Sequence, residues 1–204
     1  FMPVSNIPLE DVRKSDRVIL APGEHFQRFR AEVMQQDENS GDSLYIVNDR
    51  LIHILGEAAR KYLKLNPVTD KYIQRGMQEI FPPDGGNHVI GVHIRGTDFK
   101  LHWEKHPNVL FPKDYFPVID KAMEQGFDYV YLATDDQEFL EAFQKQYGGR
   151  LIYYNDTHRV KGNMSVAFSK HERSQDAYKN GLEALRDVYT LAQCGGFVGG
   201  LAQG

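Results

Sequence analysis

The chain is poor in the residues that several common kinds of chemistry require. A single cysteine, Cys194, occurs among 204 residues, so no disulfide can form within the chain. Thiolate metal cages are excluded for the same reason. Cys194 stands beside Gly195 and Gly196, just before an apolar run, which is the setting of a buried structural thiol. No stretch approaches the roughly 20 apolar residues of a membrane-spanning helix. Basic residues form no blocks and the net charge is −4, which argues against nucleic acid or an anionic membrane as partner. Any bound anion must therefore be met by local basic side chains. Neither a Gly-x-x-x-x-Gly-Lys phosphate loop nor a dinucleotide fingerprint is present, which weighs against a nucleotidase or another phosphate-handling α/β enzyme. What remains is 41% hydrophobic and 25% charged, an ordinary globular composition with enough apolar residues for a sizeable core.

Apolar runs alternate with helical periods along the chain. Short strands are predicted at Arg17–Leu20 and Leu44–Val47, with a short helix over Phe26–Met34 between them. Apolar residues recur at helical spacing from Leu51 to Leu65, and Pro67 ends that helix. A second helix is predicted over Asp70–Ile80, ahead of the turn Pro82-Pro83-Asp84-Gly85-Gly86. The run from His88 to Ile94 is almost continuously apolar and β-branched, as in a strand buried on both faces. Beyond it the pattern predicts helix Asp114–Met123, strand Tyr129–Ala133, helix Glu138–Tyr147, strand Leu151–Tyr154, helix Ala177–Gln193 and strand Phe197–Val198. Strands alternating with helices imply a parallel, doubly wound α/β sheet, whose ligands bind beyond the carboxyl ends of the strands.

Those ends are polar, and the first carries the densest chemistry. Alternation sends His93 and Arg95 to one face. An arginine at a strand end can hold a diphosphate by two oxygens at once, or pair with Asp98 as a structural salt bridge. Gly96 would let a ligand approach the backbone, Thr97 offers a hydroxyl, and Asp98 can orient Arg95 or Lys100. The adjacent Asp135 and Asp136 point apart on alternation, so one caps the following helix and the other meets a ligand, rather than the two sharing a metal. The polar loop Lys161–Arg173 either closes over a ligand or simply flexes.

The segment Val89-Ile90-Gly91-Val92-His93-Ile94-Arg95-Gly96-Thr97-Asp98 resembles the first signature of the α1,6-fucosyltransferases, a buried strand followed by His-Val-Arg-Arg-Thr-Asp-Lys. Tyr131-Leu132-Ala133-Thr134-Asp135-Asp136 is similar to that family's next strand end. Leu185–Gln193 resembles its aspartate-bearing helix, and the three occur in the family's order over Tyr62–Gly204. The resemblance implies a fold of two facing Rossmann-like halves (the GT-B arrangement). Residues 1–86 would be a partial α/β acceptor-side region with linking helices, and residues 87–204 a GDP-sugar-binding domain truncated at its carboxyl end. It also implies transfer of fucose from GDP-fucose to an oligosaccharide hydroxyl, with inversion and with neither cofactor nor metal. The compartment would be the Golgi lumen for a eukaryotic source or, as favoured here, the bacterial cytoplasm.

By the same resemblance, His93 contacts the guanosine and Arg95 binds the β-phosphate and stabilises departing GDP. Asp187 accepts from guanine N1 and the 2-amino group; read as a bare residue, a solvated helix carboxylate is the lesser alternative. Gly96, Thr97, Asp135 and Gln203 complete the expected donor contacts, while Asp98, Lys100 and Glu104 join Arg95 as expected catalytic residues. Glu104 falls one residue beyond the family's candidate base, and Lys100 one beyond its lysine, as a single insertion would produce. Three departures stand out: Gly96 replaces the second arginine, Phe99 replaces the lysine, and Ala202-Gln203-Gly204 matches Ser-Ser-Gln weakly. His102 is a further candidate base, and Trp103 anchors the loop or stacks on a sugar. The alternative reading is a non-catalytic nucleotide-sugar or glycan-binding module of the same fold.

Overall fold

The computed structural model describes residues 34–36, 45–47, 49–100, 110–166, 168–169 and 173–200. The chain divides into two compact units between Lys64 and Leu65. Residues 65–86, expected with the first region, thus belong to the second unit. In the first unit, β1 (Met34–Gln36) pairs antiparallel with β2 (Tyr45–Val47), and α1 (Asp49–Tyr62) follows. Met34 pairs with Val47 across that ladder, so it lies on a strand and not at the end of the expected helix. The rest of that helix and the expected strand at Arg17–Leu20 lie outside the described residues.

The second unit opens with α2 (Pro67–Ile80). The Asn66 side chain accepts the Val68 and Thr69 backbone N–H groups at 3.1 and 3.0 Å, and Pro67 occupies the first turn. Helix α2 therefore starts earlier than its apolar periodicity suggests, because the start is set by a cap and a proline and not by the buried stripe. Then follow β3 (Val89–His93), α3 (Pro112–Glu124), β4 (Tyr129–Ala133), α4 (Gln137–Tyr147), β5 (Leu151–Ile152), α5 (Asp176–Leu191) and β6 (Gly196–Gly199). The four strands form a parallel sheet in the order β5-β4-β3-β6. The chain winds outward from β3 to β5, then crosses back to lay β6 on the other side of β3. That reversal makes a Rossmann-like sheet with a topological switch point at the carboxyl ends of β3 and β6.

Alternation sorts the strand side chains between two faces. Ile90, Val92, Val130 and Leu132 pack with Tyr115 and Ile119 of α3 and with Phe139, Leu140, Phe143 and Tyr147 of α4. Val89, Tyr131 and Ala133 pack on the opposite face with Tyr154, Ile80 of α2 and Leu191 of α5. Helices thus cover both faces, which is why the strands read as continuous apolar runs. Cys194 is half-buried against the second face, its thiol near the Thr190 carbonyl at 3.4 Å, and burial pushes that thiol up to about 12. It is a structural thiol and would not ionise near neutral pH.

Candidate functional site

A cavity of about 300 Å³ opens at the carboxyl ends of β3 and β4, beneath α5. His93 and Arg95 reach it from β3, Ala133, Thr134 and Asp135 from β4, and Thr157 and His158 from the segment after β5. Helix α5 presents Asn180, Glu183, Ala184, Asp187, Val188 and Leu191, an i, i+3, i+4 series on one face. The segment after β5 returns to the sheet through a parallel bridge. Gln137 donates its N–H to the Val160 carbonyl at 2.9 Å, and Val160 to the Asp135 carbonyl at 3.1 Å. This bridge lays Thr157 and His158 across the end of β4. The lining combines the apolar side chains of Ala133, Ala184, Val188 and Leu191 with the charged side chains of Arg95, Asp135, Glu183 and Asp187.

Arg95 has 38% of its side chain exposed, and it holds two partners at once. Its Nη2 lies 3.3 and 3.4 Å from the Asp98 carboxylate oxygens, and its guanidinium carbon is 4.1 Å from the centre of the Phe99 ring. The salt bridge and a place in the cavity lining are therefore compatible. Phe99, which stands where the resembled family has lysine, is the platform on which Arg95 stacks.

The turn after Arg95 is built inward. Thr97 is fully buried, with φ at 51°. Its hydroxyl is 2.9 Å from both an Asp98 and an Asp135 oxygen, and its N–H donates to Asp136 Oδ2 at 3.0 Å. The Gly96 N–H donates to Asp135 Oδ1 at 2.8 Å. A Cβ on residue 96 would stand 2.4 Å from Asp136 Cβ, so no side chain fits there unless the turn moves. The arginine-to-glycine departure is thus a packing requirement of this turn.

Asp136 is fully buried and caps α4. Its Oδ1 accepts the Glu138 and Phe139 N–H groups at 2.8 and 3.1 Å. Its Oδ2 also takes the Lys100 ammonium at 2.6 Å, and Lys100 reaches Glu138 at 2.7 Å. Burial opposes the Lys100 charge, but the hydrogen bonds and charges of Asp136 and Glu138 outweigh it and raise the ammonium above its ordinary value. Lys100 therefore fastens the turn to α4 and lies off the cavity. Both aspartates bond Thr97, but Asp136 caps α4 while Asp135 also lines the cavity.

Asp187 lines the cavity and accepts the Tyr131 hydroxyl at 2.7 Å. Burial pushes its carboxyl up to about 6, against the Tyr131 hydrogen bond and the charges of Arg186 and Arg159. It is a desolvated carboxylate, with the Tyr131 hydroxyl as its donor among the described residues. Burial also lowers His93, with Arg95 acting the same way and Asp135 opposing, so the imidazole is neutral at neutral pH.

Of the ten residues expected from sequence, His93, Arg95, Asp135 and Asp187 meet in the cavity. Gly96, Thr97, Asp98 and Lys100 form the supporting turn beside it. Glu104 and Gln203 lie outside the described residues, as do His102 and Trp103. Among the described residues, no group of three or more His, Cys, Asp or Glu side chains is placed to hold a metal ion. No described helix is long and apolar enough to cross a membrane. Sequence reasoning missed Asn180 and Glu183, although a helical face centred on Asp187 contains both. It also missed Thr157 and His158, which sit past the strand end where the reading stopped.

No family model matches the chain, and no curated protein sequence matches it. Among solved structures it is similar to the crystal structure of NodZ alpha-1,6-fucosyltransferase co-crystallised with GDP, at 20% identity and a TM-score of 0.48. The match covers 95% of this chain, which spans 58% of the length of that one.

Proposed function

We propose that residues 65–200 contain the donor-binding site of a glycosyltransferase that moves fucose from GDP-fucose to an oligosaccharide hydroxyl with inversion and without a metal. The observation that carries this reading is convergence. Three segments far apart in sequence, each resembling a fucosyltransferase signature, deliver His93 and Arg95, Asp135, and Asp187 to one cavity. The chemistry of the lining suits a nucleoside diphosphate. A carboxylate is the natural acceptor for two adjacent N–H donors, which guanine has and adenine lacks. The apolar side chains of the lining suit a flat base, and the guanidinium suits a diphosphate.

The reaction would displace GDP from fucose C1 through an oxocarbenium-like transition state. Negative charge then grows on the departing diphosphate, where Arg95, held by Asp98 and Phe99, stabilises it. A base for the acceptor hydroxyl would come from the segment after Arg95, with Asp98, His102 and Glu104 as candidates.

A second reading, a nucleotide-sugar-binding module without transfer, draws on two observations. Lys100 is tied to Asp136 and Glu138, and Gly96 has no room for a second arginine. Isothermal titration with GDP, ADP, UDP and GDP-fucose tests the shared premise. GDP and GDP-fucose should bind and ADP should not; no GDP binding would sink both readings. Slow release of fucose from bound GDP-fucose supports the transferase, and indefinite stability of the bound donor supports the module.

A further inference from the structure

Two arginines, Arg186 buried and Arg159 half-buried, stand outside the cavity yet are bonded to the segment that walls it. Arg186 is 3% exposed. Its Nη1 and Nη2 donate to the two Asp156 carboxylate oxygens at 3.1 and 2.7 Å, and Nη2 also donates to Thr157 Oγ1 at 3.1 Å. Its guanidinium carbon lies 3.7 Å from the centre of the Tyr154 ring. Arg186 thus fastens the turn after β5 to α5 by a two-pronged bond and a stacked face. Arg159 closes the same turn on itself, with Nη1 donating to the Tyr154 and Thr157 carbonyls at 3.0 and 3.2 Å.

The second consequence is electrostatic. Asp187 meets the Tyr131 hydroxyl from β4, and Tyr154 from the turn after β5 and Tyr72 from α2 stand within its field. His93 of β3 and His158 share its cavity. On its own helix it has Glu183 and Arg186 as neighbours. Arg173 bonds Glu183 at 2.5 and 3.3 Å, yet that carboxylate still opposes ionisation of Asp187. The positive charges that favour ionisation are the guanidiniums of Arg186, which is shared with Asp156, and Arg159.

We propose that Arg186 and Arg159 are positioning residues for the nucleotide base. They hold the turn that carries Thr157 and His158 as one wall of the cavity and bring positive charge to bear on Asp187, so that its carboxylate remains the acceptor facing the base. This rests on the reading above, in which Asp187 receives a nucleobase. Neither arginine touches the ligand; both act through other residues.

The test is a carboxyl carbon-13 titration of Asp187 in the ligand-free chain, with the resonance assigned by its loss in Asp187→Asn. Arg159→Met should move the titration midpoint up by about one pH unit. Asp156→Asn, at a position with 67% of its side chain exposed, leaves the Arg186 charge less compensated and should move the midpoint down by about half a unit. A merely structural role predicts lower melting temperatures with no opposed shifts. Arg186→Lys keeps the charge but loses the fork, so its midpoint should hold while the Kd for GDP rises about tenfold. If Arg159→Met fails to fold, Asp156→Asn decides alone: an unmoved or raised midpoint overturns the proposal. If the unmodified chain binds no GDP, the base-positioning role falls with the functional reading, and opposed shifts would show that the charge arrangement itself stands.

Discussion

Replacing Asp187 with asparagine should stabilise this protein while destroying its nucleotide site. The Asp187 carboxyl is raised by burial to about 6, and an unfolded aspartate ionises near 3.9. Between those values the native state binds more protons than the unfolded state, so its stability falls as pH rises through the window. A difference of about two pH units corresponds to about 3 kcal/mol, fully felt above pH 7 and absent below about pH 4. Asparagine retains an oxygen to accept the Tyr131 hydroxyl but carries no charge to desolvate. Asp187→Asn should therefore melt roughly 5–10 °C above the unmodified chain at pH 8, and the gap should close towards pH 4. Circular-dichroism melts across that range measure the difference, in which other titrating groups cancel. The same variant should lose GDP affinity by about 100-fold, since two hydrogen bonds to a charged acceptor contribute about 3 kcal/mol. A variant less stable than the parent at pH 8, or one that binds GDP normally, would refute the reasoning.

Arg95→Ala should abolish the proposed transfer yet leave the fold intact. Its Asp98 contact is long and partly exposed, so a chemical denaturation curve should shift by no more than about 1 kcal/mol. Near-normal turnover would overturn the site. Gly96→Ala should lower the melting temperature markedly, because its Cβ would strike Asp136, and a crystal structure would show the turn displaced. Asp136→Ala removes a helix cap and leaves Lys100 and the Thr97 N–H without that carboxylate. It should cost about 3–5 kcal/mol by urea denaturation, and a loss under 1 kcal/mol would show that the buried network matters little.

Which features were legible without coordinates follows from the range of the interactions involved. The helix α5 and strands β3 and β4 were readable because apolar periodicity is a local property, and Asp136 was readable as a cap because capping acts within three residues. The placement of Arg95 at the end of a buried strand needed only alternation. The start of α2 was misjudged because periodicity reports a buried face and not the cap that begins a helix. The turn at Pro82–Gly86 reads as a boundary in the sequence, whereas in the fold α2 packs against α5 across it.

The sequence alone determined the order of strands and helices and the placement of polar groups at strand ends, since both arise from neighbours along the chain. Tertiary structure decided the rest. Strand order set β6 beside β3 and so created the switch point. Packing across 38 positions sent Lys100 to Glu138 and away from the cavity, a pairing no local pattern encodes. The return of the segment after β5 brought His158 and Thr157 over β4 and set Arg186 behind them. Only that enclosure makes Asp187 a desolvated acceptor, because desolvation depends on what closes over a carboxylate and not on the residues beside it in the chain.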